Sequence, residues 1–148
     1  MSRPAEKPTS PDPETSVSEA SGSVSSYQVE GSNFDVISPA VVNGQAAACW
    51  IAISNNGKFA YTTNAGSGTI SSYRIAANGS LTLLDATAGV TGDGSKPLDM
   101  AFSNNGSFIY TLAAGANAIV IFQFDSDGSL NNMGAVAVPA GVNGLAAR

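Results

Sequence analysis

A nine-residue string occurs twice in this chain, and its spacing restricts the fold more than any other feature. SNNGKFAYT occupies residues 54–62, and SNNGSFIYT occupies residues 103–111, 49 residues later. The similarity extends beyond the string, because residues 50–81 align with residues 99–130 without a gap and with 14 identities in 32 positions. A third, partial copy lies upstream, where GSVSSYQV at 22–29 resembles GTISSYRI at 68–75. Such a chain is expected to fold as repeated units that pack on one another.

Each unit has the sequence pattern of β-strands. Short runs rich in aromatic and β-branched residues alternate with Gly, Asn, Asp and Ser turns, and no long stretch has a helical period. We predict four strands per unit. The first is CWIAIS or LDMAFS, the second FAYTTNA or FIYTLAA, the third TISSYRI or AIVIFQFD, and the fourth LTLLDAT or LNNMGAVAV. SVSSYQV and FDVISPAV are upstream copies of the last two. A strand-built period near 49 is typical of propeller blades.

The repeated string forms the connection between the first two strands of each unit. Asn and Gly tolerate the positive φ that a tight hairpin turn requires. The Phe-x-Tyr that follows puts both rings on one face of the second strand, since side chains alternate along a strand. We therefore expect Phe59 and Tyr61 to fill the space between neighbouring units.

These patterns predict an all-β fold, a partial β-propeller of two full four-stranded blades plus a half blade. The expected boundaries are a half blade at 23–46 and blades at 47–95 and 96–139. Residues 1–22 hold four of the seven prolines and no Ile, Leu, Phe, Tyr or Trp. Such a segment is expected to be a disordered tail. An expression or gene-start remnant is the alternative.

Composition removes several function classes. The chain has no His and a single Cys, so it lacks Ser-His-Asp and Cys-His nucleophile systems and the usual zinc ligand sets. Cys49 is expected to be a small buried hydrophobic residue. The net charge of −5 is the opposite of the basic surface that a nucleic-acid-binding protein needs. No apolar run is long enough to span a bilayer, and no signal peptide is visible, so the expected location is cytoplasmic by default.

The two central units resemble blades of the lactonase-type seven-bladed β-propeller family, which includes proteins similar to 6-phosphogluconolactonase and the carboxymuconate lactonising enzymes. The resemblance rests on ACWIAISNNGKFAYTTNAGSGTISSYRIAANGSLTLLDATAG, on KPLDMAFSNNGSFIYTLAAGANAIVIFQFDSDGSL and on the ending VPAGVNGLAAR, and it covers residues 22–148. Seven units of 49 residues would need 343, whereas this chain has 148. It therefore looks like the C-terminal third of such a propeller. The resemblance also implies a closing strand at 140–148, so the expected fold is a partial β-propeller at 23–148, with two full four-stranded blades plus a half blade and a closing strand.

The resemblance implies a ligand site at the central channel, which the first strand of each blade lines. Trp50 and Asp99 occupy equivalent positions on these strands, and Lys96 ends the long loop before the second one. Asp99 is the candidate catalytic base, and Lys96 and Trp50 are the candidate substrate-binding residues. In the competing interpretation, Asp99 binds loop backbone between blades and Lys96 is only solvated. We expect no cofactor and no metal.

Two functions follow from these considerations. The resemblance implies a fragment of a carboxylic ester hydrolase that opens a sugar lactone such as 6-phosphogluconolactone, inactive as an isolated piece. The alternative is a non-catalytic propeller repeat module for protein interaction or self-assembly. The expected partners are a small-molecule lactone and either further copies of the chain or the missing blades, because end blades leave apolar faces uncovered. Nucleic acid and membrane are not expected partners.

Overall fold

The computed structural model describes residues 22–147, which form ten strands in three antiparallel sheets. The strands are β1 (Ser23–Glu30), β2 (Asn33–Val42), β3 (Ala48–Ile53), β4 (Phe59–Asn64), β5 (Thr69–Ile75), β6 (Leu81–Val90), β7 (Pro97–Phe102), β8 (Phe108–Ala113), β9 (Ala118–Phe124) and β10 (Leu130–Ala137). One short 3₁₀ turn, Ala114–Ala116, joins β8 to β9. β1 and β2 form a two-stranded sheet, and β3–β6 and β7–β10 form four-stranded sheets in sequential order. This confirms the all-β, partial-propeller fold, in which no sheet closes on itself.

The repeated string builds the same turn twice. The Ser54 hydroxyl accepts the Phe59 N–H at 3.0 Å and donates to Asn56 Oδ1 at 2.7 Å, and the corresponding bonds of the second turn have the same lengths. Gly57 has φ +70°, as the hairpin requires. The side chain of Asn55 donates to the carbonyl of Asn104, 49 residues away, at 3.0 Å. Each residue of SNNG therefore has a defined role, and the first Asn ties one turn to the next.

The main core lies between the two four-stranded sheets. Phe59 and Tyr61 project from β4 toward the last sheet, where Ile109 and Phe122 meet them, and all four side chains are almost fully buried. This confirms that the Phe-x-Tyr rings fill the space between blades. A smaller core, centred on Tyr73, joins the two-stranded sheet to β4 and β5. The two central strands of the middle sheet are therefore covered on both faces, with every residue of β4 and the first five residues of β5 buried.

Two predicted features have a different structure. Residues 140–147 form no strand, so the closing strand predicted at 140–148 is absent from the described part of that range. A strand needs a hydrogen-bonded neighbour, and within residues 22–147 no strand pairs with this segment. Cys49 is exposed, not buried, because the described half blade has no inner strands to cover β3. The disordered tail predicted at 1–22 lies outside the described residues, apart from Gly22.

Candidate functional site

The inner strands β3 and β7 lie side by side, and both contain a β-bulge at the candidate position. In β3 the pairing skips from Ala48 to Ile51, so Cys49 and Trp50 together oppose one residue of β4. In β7 Pro97 pairs with Ala113 and Asp99 pairs with Leu112, so the extra residue is Leu98, directly before Asp99. Bulges of this kind re-aim side chains and occur often beside functional sites. The Cys49 thiol lies 3.6 Å from the Leu98 carbonyl, which shows how closely the two bulges approach.

Asp99 is buried, with 7% of its surface exposed. One carboxylate oxygen, Oδ2, accepts the backbone N–H of Leu145 at 2.7 Å. The other oxygen, Oδ1, is buried and has no hydrogen-bond partner within residues 22–147. Leu145 lies 49 residues after Lys96, so Asp99 holds the chain at the place where a next inner strand would begin. The carboxylate therefore contacts loop backbone, as the competing interpretation expected, while keeping one unsatisfied acceptor.

Lys96 has an exposed side chain and an unusual backbone conformation. Its φ is +47°, and its carbonyl accepts the N–H of Ala114 at 3.2 Å. Ala47, one repeat earlier, has φ +55° and accepts the N–H of Ala65 at 2.8 Å. A left-handed conformation costs a non-glycine residue about 1–2 kcal/mol. Because the left-handed conformation recurs at equivalent positions, the turn into the inner strand imposes it in both repeats. The Lys96 side chain itself is exposed and does not pack in the core.

Trp50 is 48% exposed and is held through its backbone. Its N–H donates to Thr63 Oγ1 at 3.0 Å, and its carbonyl accepts the Thr62 hydroxyl at 2.8 Å. Trp50 lines an open cavity of about 290 Å³ between β1 and β3, together with Tyr27. Asp99 and Lys96 do not line this cavity. The structure thus brings the inner strands together without gathering the three candidate side chains into one described cavity.

Two features of the site were missed by sequence reasoning. One is the pair Thr62 and Thr63, whose hydroxyls bond the backbone of Trp50 in the β3 bulge. The sequence analysis predicted these two residues only as part of a strand.

The other is a second cavity of about 290 Å³ between the outer strands, lined by Asp85, Asp127 and Ser129 among others. Hydrogen bonds from the Ser129 hydroxyl and N–H lower the pKa of the exposed Asp127 carboxyl. The only available signal was that this turn carries an acid where its sister turn, AANG, has none.

The described residues contain no group of three or more His, Cys, Asp or Glu side chains placed to hold a metal ion. Between Gly22 and Ala147, no helix is long and apolar enough to cross a membrane.

Comparison with known proteins gives a family and several similar structures. The family model described as "Lactonase, 7-bladed beta-propeller" matches residues 15–143. No curated protein sequence matches the chain.

The solved structures that resemble the chain include three bacterial lactonase-like proteins. A candidate 6-phosphogluconolactonase from Bacteroides fragilis has 23% identity and a TM-score of 0.66, over 82% of this chain and 35% of that one. A candidate 6-phosphogluconolactonase from Bacteroides uniformis has 19% identity and a TM-score of 0.67, over 81% and 36%. A periplasmic gluconolactonase from Pseudomonas aeruginosa has 20% identity and a TM-score of 0.63, over 82% and 37%. The chain therefore spans about a third of the length of these structures, which share its fold.

Proposed function

This chain belongs to the lactonase family of seven-bladed β-propellers, and we propose that it contributes blades to a hydrolase that opens a sugar lactone such as 6-phosphogluconolactone. The family match is the observation that carries this proposal. The substrate class comes from the similar structures named for 6-phosphogluconolactone and gluconolactone hydrolysis. Because the chain spans about a third of those structures, activity requires further blades, and the chain alone has little or none.

Asp99 is the proposed general base. It lies on an inner strand, and its Oδ1 has no partner in the described structure. In the proposed reaction, this carboxylate takes a proton from a water molecule as the water oxygen attacks the lactone carbonyl carbon. The tetrahedral oxyanion then collapses, the ring C–O bond breaks, and the departing oxygen takes the proton that Asp99 accepted from water, which gives the hydroxyl and restores the carboxylate. Donors for the oxyanion would come from other blades.

Lys96 and Trp50 are the proposed substrate contacts. The Lys96 ammonium is exposed at the end of the loop that leads into β7, so it is able to pair with a phosphate or carboxylate on the sugar. The Trp50 ring is half-exposed on the neighbouring inner strand and offers an apolar surface to a sugar ring. Both side chains can be removed without breaking a hydrogen bond of the described fold.

A lactone-hydrolysis assay on Asp99 variants tests this proposal. Asp99→Asn keeps an oxygen that accepts the Leu145 N–H but removes the carboxylate base, and Asp93→Asn is the matched control on the exposed loop. Turnover above the spontaneous rate is expected only from chain supplied with further blades, and Asp99→Asn should lower kcat by about 100-fold or more with unchanged stability. Equal turnover by wild type and Asp99→Asn would remove Asp99 from the mechanism.

A non-catalytic interaction module is the second candidate function. The apolar side chains exposed on β1 and β2 favour it, since soluble monomers rarely expose such a cluster. No turnover above the spontaneous rate, in chain that folds and has been supplied with further blades, would favour this module over the hydrolase.

A further inference from the structure

The two-stranded sheet has an exposed apolar face, and Tyr27 on this face also borders the cavity between β1 and β3. Tyr27 pairs with Val36 and Val29 pairs with Phe34, so the four side chains share one face of β1 and β2. Their exposed fractions are 54%, 59%, 58% and 70% in that order. These four residues are called the leading face. Single exposed apolar residues are ordinary, but four in adjacent cross-strand pairs indicate a contact surface.

The same register positions are covered in the other two sheets. In the middle sheet, Tyr73 pairs with Leu83 and Ile75 pairs with Leu81, and these residues pack against the two-stranded sheet.

In the last sheet, Phe124 and Leu130 form the equivalent pair and pack in the main core. The Phe124 ring makes edge-to-face contacts with Phe59 at 5.9 Å and with Tyr61 at 6.2 Å. The pair in the last sheet that corresponds to the leading face is therefore covered by the Phe-x-Tyr pair on the second strand of the preceding sheet.

The last sheet carries a Phe-x-Tyr pair that no later sheet covers in the described part of the chain. Phe108 and Tyr110 on β8 repeat Phe59 and Tyr61, and both remain partly exposed. Ile109, between them, is fully buried toward the middle sheet, so the two rings point the other way. Phe108 and Tyr110 are called the trailing face. The leading face and the trailing face therefore resemble the two surfaces that meet between the four-stranded sheets. Within residues 22–147, neither face is covered by a matching surface.

We propose that a second copy of this chain docks head to tail, with the leading face of one copy on the trailing face of the next. The contact reproduces the one that Phe124 and Leu130 make with Phe59 and Tyr61. Val29 and Phe34 replace that phenylalanine–leucine pair, so the aromatic ring moves to the neighbouring strand while the combined apolar volume changes little. The interface is heterologous, and the rotation between copies sets whether a ring or an open chain forms. The proposal does not depend on lactone hydrolysis.

Complementation between two blocked variants tests the proposal. The double variant Phe34→Asp/Val36→Asp charges the leading face without touching a buried group, and Tyr110→Asp charges the trailing face. Light scattering after size exclusion should show that wild type associates at micromolar concentration and that each variant weakens self-association at least about tenfold. An equimolar mixture of the two variants should form a 1:1 dimer, because one intact interface remains.

Controls make each outcome decisive. Ile53→Asp alters a side chain that is 58% exposed on β3, outside both faces, and should associate like wild type. Far-UV circular dichroism checks that every variant folds, and Phe108→Asp replaces Tyr110→Asp if the latter unfolds. A monomeric wild type, a mixture that stays monomeric, or a leading-face variant that associates normally would each overturn the proposal. Ile53 lines a groove between β1 and the middle sheet, so loss of association in Ile53→Asp would place the contact in that groove and overturn the proposal.

Discussion

The hydroxyl of Tyr61 offers a direct measurement of how two blades are joined. This side chain is fully buried, and its O–H donates to the Gly128 carbonyl in the turn of the next sheet at 2.7 Å. Tyr61→Phe keeps the ring in the core but leaves that carbonyl without its donor. Loss of one such bond, with a buried acceptor left unpaired, should lower the free energy of unfolding by about 1–2 kcal/mol.

Two other tyrosines in the same structure are matched controls. Tyr110 occupies the same repeat position as Tyr61, but no sheet follows it within residues 22–147, so Tyr110→Phe should change stability by less than about 0.5 kcal/mol. Tyr73 is fully buried, yet its hydroxyl has no hydrogen-bond partner in the described structure. The repeat equivalent of Tyr73 is Phe122, so Tyr73→Phe should be neutral or stabilise by up to about 1 kcal/mol.

Urea unfolding at one fixed protein concentration measures all three variants. With a typical slope of about 2 kcal/mol per molar urea, Tyr61→Phe should move the midpoint down by about 0.5–1 M. Fixed concentration matters because association adds to apparent stability. The reasoning fails if Tyr61→Phe and Tyr110→Phe shift the midpoint equally, or if Tyr73→Phe costs as much as Tyr61→Phe.

Three further predictions concern repeat positions and pH. Gly68→Ala should lower the free energy of unfolding in urea by about 3 kcal/mol or more, because φ is +65° and the new Cβ would overlap the Gly92 carbonyl. Gly57→Ala should lower it by only about 1 kcal/mol, because the new Cβ meets no atom and only the φ strain remains. Thr62→Val should lower the free energy of unfolding by about 1 kcal/mol, since the Thr62 hydroxyl donates to the Trp50 carbonyl in the β3 bulge. Thr111→Val should leave it unchanged, because the Thr111 hydroxyl has no partner in the described structure. Equal losses of stability in the two variants would contradict this. Burial raises the folded-state pKa of both buried tyrosines above their ordinary value of 10, so stability should hold below pH 10 and fall above it by up to about 1.4 kcal/mol per pH unit for each tyrosine. Unfolding curves between pH 9 and 11 check this, and each Tyr→Phe variant should reduce the slope.

The pKa values of Tyr61 and Tyr73 are both raised, and their causes differ in part. The pKa of the Tyr61 hydroxyl rises first through burial and then through the nearby Asp127 carboxylate. For Tyr73 burial also raises the pKa, and the Asn43 side chain offsets part of the rise without meeting the geometry of a hydrogen bond. Because the charged form is disfavoured in both cases, high pH should favour the unfolded chain.

Much of the fold was predictable because the relevant signals are local. The turn residues of SNNG, the two-residue alternation around Phe59 and Tyr61, and the 49-residue period together indicate strands, hairpins and stacked sheets. Turn chemistry depends on a few neighbouring residues, so it can be read without the rest of the molecule. The closing strand that the family resemblance implied was wrong, since a strand depends on a hydrogen-bonded partner and the described residues supply none for residues 140–147.

The candidate site was less predictable for the same physical reason. The repeat identified Trp50 and Asp99 as equivalent positions, and both lie on adjacent inner strands. Only the tertiary structure decided that Asp99 is buried and bonded to Leu145 while Trp50 stays half-exposed. Their roles in catalysis remain predictions.

The sequence by itself determined the repeated unit, its four strands and its turns, because hydrogen bonding and alternation act over a few residues. Only the tertiary structure decided which copies of that unit are covered, because burial depends on what packs against a face. The same Phe-x-Tyr pair is fully buried on β4 and partly exposed on β8, although the two strings differ at only two of nine positions.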